Sequence, residues 1–546
     1  MNRAQGQVIS DHAAPAGTGW PRVLRLAAPG MALACLLCLP FLNKAYTIDD
    51  PYFLLQSDQA RRQPLRPLNF NLCWFNSLKC APAYALAPGS ALMGYFLIPV
   101  LALSDAEPAV HAVQLVLLCI AVIFTVALAR RMAANEFEAR ATGMLLVVFP
   151  PVLAMTNTAM PDVLVMALGV IGIDRYLAWL DDGGAANAAV STLALGLAPL
   201  GRMHALGLIG VAAIAALLHA RKHNRWNSRV RAVLPLGLAL ALFAGVTFLT
   251  REPTVPFGLP PDFNRGWIHV GGNLRALLFD FVVCFPIAVI WLVHLRRRAL
   301  GLIVTSLAIF GVLSLAAGAA RSTSAAWALS AISMACLLDL LRLGWLGRSR
   351  RLLLSAWLLV PCLVLPYTHL PPKLVMIGAP AAAIASAGWM RDESQHLRHW
   401  VLACTIAACA LVSILVLRAD QRFAELPRQA SAELVAPAVQ KGERVWYAGH
   451  WGIYWYAPKA GAALVVPGVS EPVSGDLLLT EHFEYPDPIL ERYPRRQLIA
   501  SRAFAWNGGR IMSARYHAGL YSNGWGPLPW SYGTGEVDRF ELWRID

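Results

Sequence analysis

Two adjacent carboxylates, Asp49 and Asp50, sit in the run Tyr46-Thr-Ile-Asp-Asp-Pro-Tyr-Phe53, a few residues beyond the first long apolar stretch. Ionisable groups at or in a bilayer are costly to place and usually functional. A carboxylate there can take a proton from an attacking hydroxyl or ligate a divalent cation. The pair can equally cap a helix beginning at Pro51, because proline suits a first turn. A third acid, Asp162, ends Asn157-Thr-Ala-Met-Pro-Asp162, a tight turn between two later apolar stretches, where its structural role would again be a helix cap. If both turns lie on one face of the membrane, the acids form one site. Asp49 and Asp162 can then serve in base catalysis or hold a divalent metal ion.

Cations gather nearby in the sequence. Arg61, Arg62, Arg66 and Lys79 follow the acidic pair within one loop, and guanidinium groups match the geometry of phosphate oxygens. General attraction to anionic headgroups is the competing role for them. Arg202 and His204, Arg265, Arg321 and Lys373 recur at later outer turns, where each alone reads as a snorkelling end residue and together they can line a phosphate-binding cavity. The histidines have no metal-ligand spacing. Cys73 and Cys80, with six residues between them in the same polar loop, can form a disulfide in an oxidising compartment or remain two free thiols. The other eight cysteines fall in apolar runs and act as small hydrophobes.

The elements that position these groups are membrane spans. The chain has 546 residues, 57% hydrophobic and 14% charged, against about 25% charged for soluble domains. A net charge of +14 does not indicate nucleic acid, because the basic residues are scattered in short clusters between apolar runs. A cytoplasmic tail covers 1–25, and its lack of a small-residue cleavage site marks the first span as a retained signal anchor. That span is 26–43, followed by a first outer loop over 44–108 whose segment 88–103 reads as an interfacial or re-entrant helix. Further spans are expected at 109–129, 141–157, 163–180, 187–200, 204–220, 232–250, 276–294, 299–319, 324–341, 352–366, 374–390 and 400–417. This path of 13 spans places the clusters at 221–231, 296–298 and 348–351 in the cytoplasm, as the positive-inside rule requires.

Composition changes at about 419. Short β-like runs at 444–447, 463–466, 476–479, 497–500 and 540–545, with a helical stretch at 450–460, predict a small α/β domain over 419–546 on the outer face. The expected fold is thus mainly α and polytopic, with a membrane domain over 26–418 and a C-terminal extracytoplasmic α/β domain. The aromatic runs His450-Trp-Gly-Ile-Tyr-Trp-Tyr456 and Ser522-Asn-Gly-Trp-Gly-Pro-Leu-Pro-Trp530 read as domain core or interfacial belt in preference to sugar-stacking platforms.

The loop Asp49-Asp50-Pro-Tyr52 and the turn Met160-Pro-Asp162 resemble the two outer acidic motifs of GT-C-fold glycosyltransferases, the group that includes protein O-mannosyltransferases and the lipid A aminoarabinose transferase. The interfacial helix, the 13-span path and the outer tail resemble that family too. The resemblance implies an inverting transfer at the outer face of a bacterial inner membrane. The donor would be a polyprenyl-phosphate sugar and the acceptor a lipid, glycan or protein, with membrane lipids as surroundings. It implies Asp49 as general base, Asp162 as its assistant or as a metal ligand, and basic residues on the leaving phosphate. The second acid is Asp50 where the family commonly has Glu, so the resemblance leaves open which of the pair is the base. It implies no cofactor beyond that optional metal. A lipid-linked glycan flippase would show charges at mid-span and an inverted repeat. A polysaccharide polymerase or ligase would centre its arginines and histidine on a large late loop.

Overall fold

The computed structural model of the chain describes residues 19–73, 80–86, 91–222, 226–250, 268–295, 332–340, 349–483 and 487–546. Among these, six helices are long and apolar enough to cross a bilayer: Trp20–Phe41, Glu107–Arg131, Asp162–Asp182, Met203–Arg221, Arg229–Thr250 and Gln395–Gln440. Two bent pairs raise the number to eight. Glu136–Val148 turns by 63° into Pro150–Thr156, where Pro150 and Pro151 remove backbone donors. Val270–Val283 turns by 58° into Ile287–Val293 at Pro286.

The count of 13 is not confirmed among the described residues. Ala185–Gly201 has 17 residues. The expected span 352–366 is a short helix, Ser349–Leu358, followed by a 3-10 turn, Val360–Val364, at Pro361, and the expected span 374–390 is a succession of short helical segments, Pro372–Val375, Met376–Gly378 and Ala379–Trp389. The expected span 299–319 and most of 324–341 lie outside the described residues. The segment expected to be interfacial is the 12-residue helix Leu92–Leu103. At about 1.5 Å per residue it is roughly 18 Å long, too short to cross a core of about 30 Å. It lies on the helix Asp50–Arg62, and the Gly94 N–H donates to Gln56 at 3.0 Å. A Cβ on Gly94 would fall 2.6 Å from that side chain.

The last span does not stop where the composition changes. One helix runs Gln395–Ala430, past 419, and carries Asp420 and Phe423 beyond the apolar run. Beyond it is a five-stranded sheet in the order Ala463–Leu464, Val445–Tyr447, Leu477–Glu481, Glu536–Ile545, Arg496–Ala505. The first three strands pair in parallel, with the helix Ile453–Lys459 crossing between Val445–Tyr447 and Ala463–Leu464, and the last two join antiparallel. All five strands and the helix fall where the sequence places them. The aromatics are packing groups: Phe423 of the long helix meets Trp451 and Phe483, and Phe483 meets Trp525, at 5.2–6.1 Å between rings. Gly452 in the same motif sits so close to the membrane domain that a Cβ would lie 2.5 Å from Pro427 and 2.8 Å from the Tyr46 carbonyl. Cys73 and Cys80 are joined as a disulfide beside the two-residue strand pair Asn71–Leu72 and Ala81–Pro82, and the Cys73 N–H donates to the Tyr454 hydroxyl at 2.8 Å.

The sheet buries two acids on neighbouring strands. Glu481 is 6% exposed and Asp538 3%. Burial pushes the Asp538 carboxyl up to about 8. Burial, then the charge of Asp538, holds Glu481 well above the ordinary carboxylate range, and the two side chains hydrogen-bond each other. A carboxyl whose folded pKa is raised stabilises the fold fully below its unfolded pKa and loses that contribution as pH rises through the folded value. Thermal melting from pH 5 to 9 should therefore show a tail-domain transition falling by roughly 5 °C. Asp538→Asn should flatten the dependence; a melting point independent of pH in the native chain would count against the shared proton.

Candidate active site

Local structure first shows whether the acids cap the helices they precede or open. Asp49 occupies the N-cap position of Asp50–Arg62, yet its side chain makes no capping bond. Its Oδ2 instead accepts from the Lys373 ammonium at 2.6 Å. Asp162 opens the helix Asp162–Asp182 with no side-chain cap. It receives a two-pronged bond from Arg202, Nε to Oδ1 at 3.0 Å and Nη2 to Oδ2 at 2.8 Å. Helix N-termini favour anions, so both acids sit where their charge is tolerated while their oxygens point elsewhere.

The adjacent pair divides its tasks. The Asp50 carboxylate is fully buried and accepts the Thr47 N–H at 3.0 Å and the Ala159 N–H at 2.7 Å. It staples the first acidic loop onto the second, so the two turns are in contact. Burial raises Asp50 to about 7, against the lowering effect of Lys44 and the two N–H bonds. Asp49, 34% exposed at its side chain, is the open member. Burial acts to raise it, but Lys373, Arg202 and His369 together outweigh burial and hold it below the usual carboxylate value. Ile48, which precedes it, has φ of +50°. That left-handed conformation is strained for a β-branched side chain, and such strain clusters at functional sites.

The cations come from two further turns. Arg202 follows the helix Ala185–Gly201, and Gly201 packs so tightly on the Asp162 helix that a Cβ would come within 2.5 Å of Val165. That approach brings the guanidinium to Asp162. His204 hydrogen-bonds the backbone of Leu374. Lys373 sits in the turn Pro372–Val375 behind Pro371 and Pro372, with its Nζ also 3.6 Å from Met160 Sδ. His369 on the same segment is lowered to about 4, first by burial and then by Lys373, so it is neutral at pH 7. Asp49, Asp162, Arg202, His204, His369 and Lys373 are thus one cluster, at the opposite end of Asp162–Asp182 from the Arg131–Asp174 pair.

Other sequence candidates lie apart. Arg61 and Arg62, at the far end of Asp50–Arg62, pair with Asp58 and are 64% and 67% exposed. They are about 17 Å along the helix from Asp50. Arg66 is half-buried in the turn that follows. Lys79, Arg265 and Arg321 lie outside the described residues.

Sequence reading did not single out Lys44, Asp420 and Tyr521. The Lys44 ammonium meets Asp420 at 2.6 Å with both side chains fully buried, and the Tyr521 hydroxyl donates to Asp420 at 2.9 Å. Lys373 Nζ lies 5.7 Å from the Tyr521 ring centre. The available signal was position: Lys44 and Asp420 are the first charged groups past their spans apart from Arg418, where ionisable residues carry meaning.

A divalent metal on Asp49 and Asp162 does not fit this arrangement. Both Asp162 oxygens are taken by a guanidinium, and Asp49 is neutralised by an ammonium. Among the described residues no group of three or more His, Cys, Asp or Glu side chains is placed to hold an ion.

No protein-family model and no curated protein matches the chain. Solved structures do. The oligosaccharyltransferase AglB from Archaeoglobus fulgidus, in complex with an inhibitory peptide and a dolichol-phosphate, aligns at 11% identity over 94% of this chain and 74% of its own, with a TM-score of 0.49. ArnT from Cupriavidus metallidurans, bound to undecaprenyl phosphate, aligns at 14% identity over 87% and 96%, TM-score 0.46. The S. cerevisiae protein O-mannosyltransferase Pmt1–Pmt2 complex, bound to its sugar donor, aligns at 13% identity over 42% of this chain, TM-score 0.32, and this chain spans 32% of that one.

Proposed function

We propose that the chain is an inverting membrane glycosyltransferase. It takes its sugar from a polyprenyl-phosphate donor and passes it to an acceptor hydroxyl at the outer face of a bacterial inner membrane. The observation that carries this reading is the open Asp49 carboxylate held 2.6 Å from Lys373 beside the Arg202–Asp162 pair. The acceptor oxygen attacks the anomeric carbon, the bond from that carbon to the phosphate oxygen breaks, and the acceptor proton passes to Asp49. The donor phosphodiester leaves as a monoester carrying one more negative charge. Fixed cations stabilise such developing charge in a low-dielectric site, so no proton donor is needed for the leaving group. Lys373 and Arg202 are the cations in place. Donor phosphate competes with Asp49 for the Lys373 ammonium, so donor binding makes the carboxylate a stronger base.

The reading is tested by purifying the full chain in lipid and supplying undecaprenyl-phosphate sugars with an extract of envelope acceptors. Release of undecaprenyl phosphate that depends on acceptor supports it. Its absence with every donor tried, from a folded protein that also fails to bind undecaprenyl phosphate, rejects it. Because the acids already have organic counter-ions, we expect full activity after treatment with EDTA; a loss restored by a divalent salt would reinstate the metal.

A further inference from the structure

We propose that the C-terminal domain completes the site, with Asn523 as a positioning residue for the segment that carries His369 and Lys373. This rests on the reading of Lys373 as the cation that faces donor phosphate. The argument begins with prolines. Pro371 and Pro372 have no N–H, so the chain entering Lys373 is short of backbone donors with which to fix itself. The last N–H before them belongs to Leu370, and it is bound from the other domain: it donates to Asn523 Oδ1 at 2.8 Å. The Asn523 amide in turn donates to Asn273 Oδ1 at 3.1 Å. Asn273, 2% exposed, donates to the carbonyls of Leu365 at 3.0 Å and Tyr367 at 2.7 Å. Two asparagine side chains thus fix three backbone groups within 365–370.

Two residues before Asn523, Tyr521 binds the buried Asp420–Lys44 pair and lies beneath the Lys373 ammonium. The turn 520–523 therefore reads both sides of the cluster, the Lys44 end of the first acidic loop and the Lys373 segment. A domain that merely decorated the membrane body would have no reason to place buried polar bonds there, since each is costly if left unmade. The consequence is that the position of Lys373 relative to Asp49 depends on the tail domain being docked. Domain undocking would release the cationic segment, whereas the bonds of Asp50 to Thr47 and Ala159 and of Asp162 to Arg202 lie within the membrane domain.

Hydrogen exchange of the full chain in lipid nanodiscs tests this without needing turnover. In Asn523→Ala, peptides covering 365–375 should exchange about tenfold faster than in the native protein, with peptides covering 155–165 unchanged. The donor KM should rise by a similar factor. Asn273→Ala, which breaks the same link from the membrane side, should do likewise, and it keeps the test open if Asn523→Ala does not fold. Unchanged exchange across 365–375 in a folded variant overturns the positioning role. Exchange that rises while even the native chain transfers no sugar would retain the positioning role and reject the enzymatic reading.

Discussion

Asp49→Asn is expected to cut transfer by about 10³-fold while leaving the protein folded and inserted. The asparagine oxygen can still accept from Lys373, and the side chain makes no capping bond whose loss would weaken the helix. Basicity is what disappears. The neighbouring Asp50→Asn should behave in the opposite sense, because an amide cannot accept both the Thr47 and Ala159 N–H groups. That variant should lose stability first and activity as a consequence. The pH profile adds a signature. Asp49 is held below the ordinary carboxylate value of about 3.9, so kcat/KM, which reports the free enzyme, should stay flat on acidification from pH 7 to about 5. Where donor phosphate draws Lys373 away, the acid limb of kcat should lie at higher pH than that of kcat/KM. A membrane assay in which Asp49→Asn retains near-native turnover removes this residue as the base.

The roles of Asp49 and Asp50 were only half legible in the sequence. The residues predicted an acidic pair at the membrane edge, an acidic turn facing it and a shared site, because ionisable groups beside apolar runs are conspicuous. Which of the pair stays open and which holds the loops together depends on Ala159, 109 residues away, whose N–H is invisible to any local pattern. Lys373 and Arg202 were legible as cations at outer turns, but their partners were set by where helices end. Gly201 permits a contact that spacing alone does not reveal. The strands of the tail showed themselves through alternation and turn residues. The helix Gln395–Ala430 did not show its full length, since charge and proline mark departure from lipid and not the end of a helix. The number of spans is not confirmed among the described residues, where prolines at 150, 286 and 361 bend or interrupt apolar stretches that hydropathy reads as continuous. Asn523 was hidden in an aromatic run that reads as core. Its partners belong to a different domain, so nothing within the run distinguishes a docking asparagine from a turn asparagine.

Arg202→Met separates electrostatic support from chemistry at the second acid. Asp162 is 4% exposed and both of its oxygens are bound by the same guanidinium. Removing that partner leaves a buried carboxylate uncompensated, which costs about 3–5 kcal/mol in comparable cases. The variant should therefore melt well below the native protein. Asp162→Asn in the same chain removes the stranded charge, and the double variant should regain most of the lost stability. Activity should not follow. Arg202 also helps hold Asp49 ionised, and under the proposed function it is one of the two cations that face the departing phosphate. Uniform recovery of stability and transfer in the double variant would mean that the Arg202–Asp162 pair is only a structural clamp. Recovery of melting temperature with transfer still about 10²-fold down would place the guanidinium in the reaction itself. The two outcomes differ because the pair is embedded in a cluster where one positive charge serves two acids: the bond to Asp162 fixes its geometry, and under the proposed function its field at Asp49 supports the base.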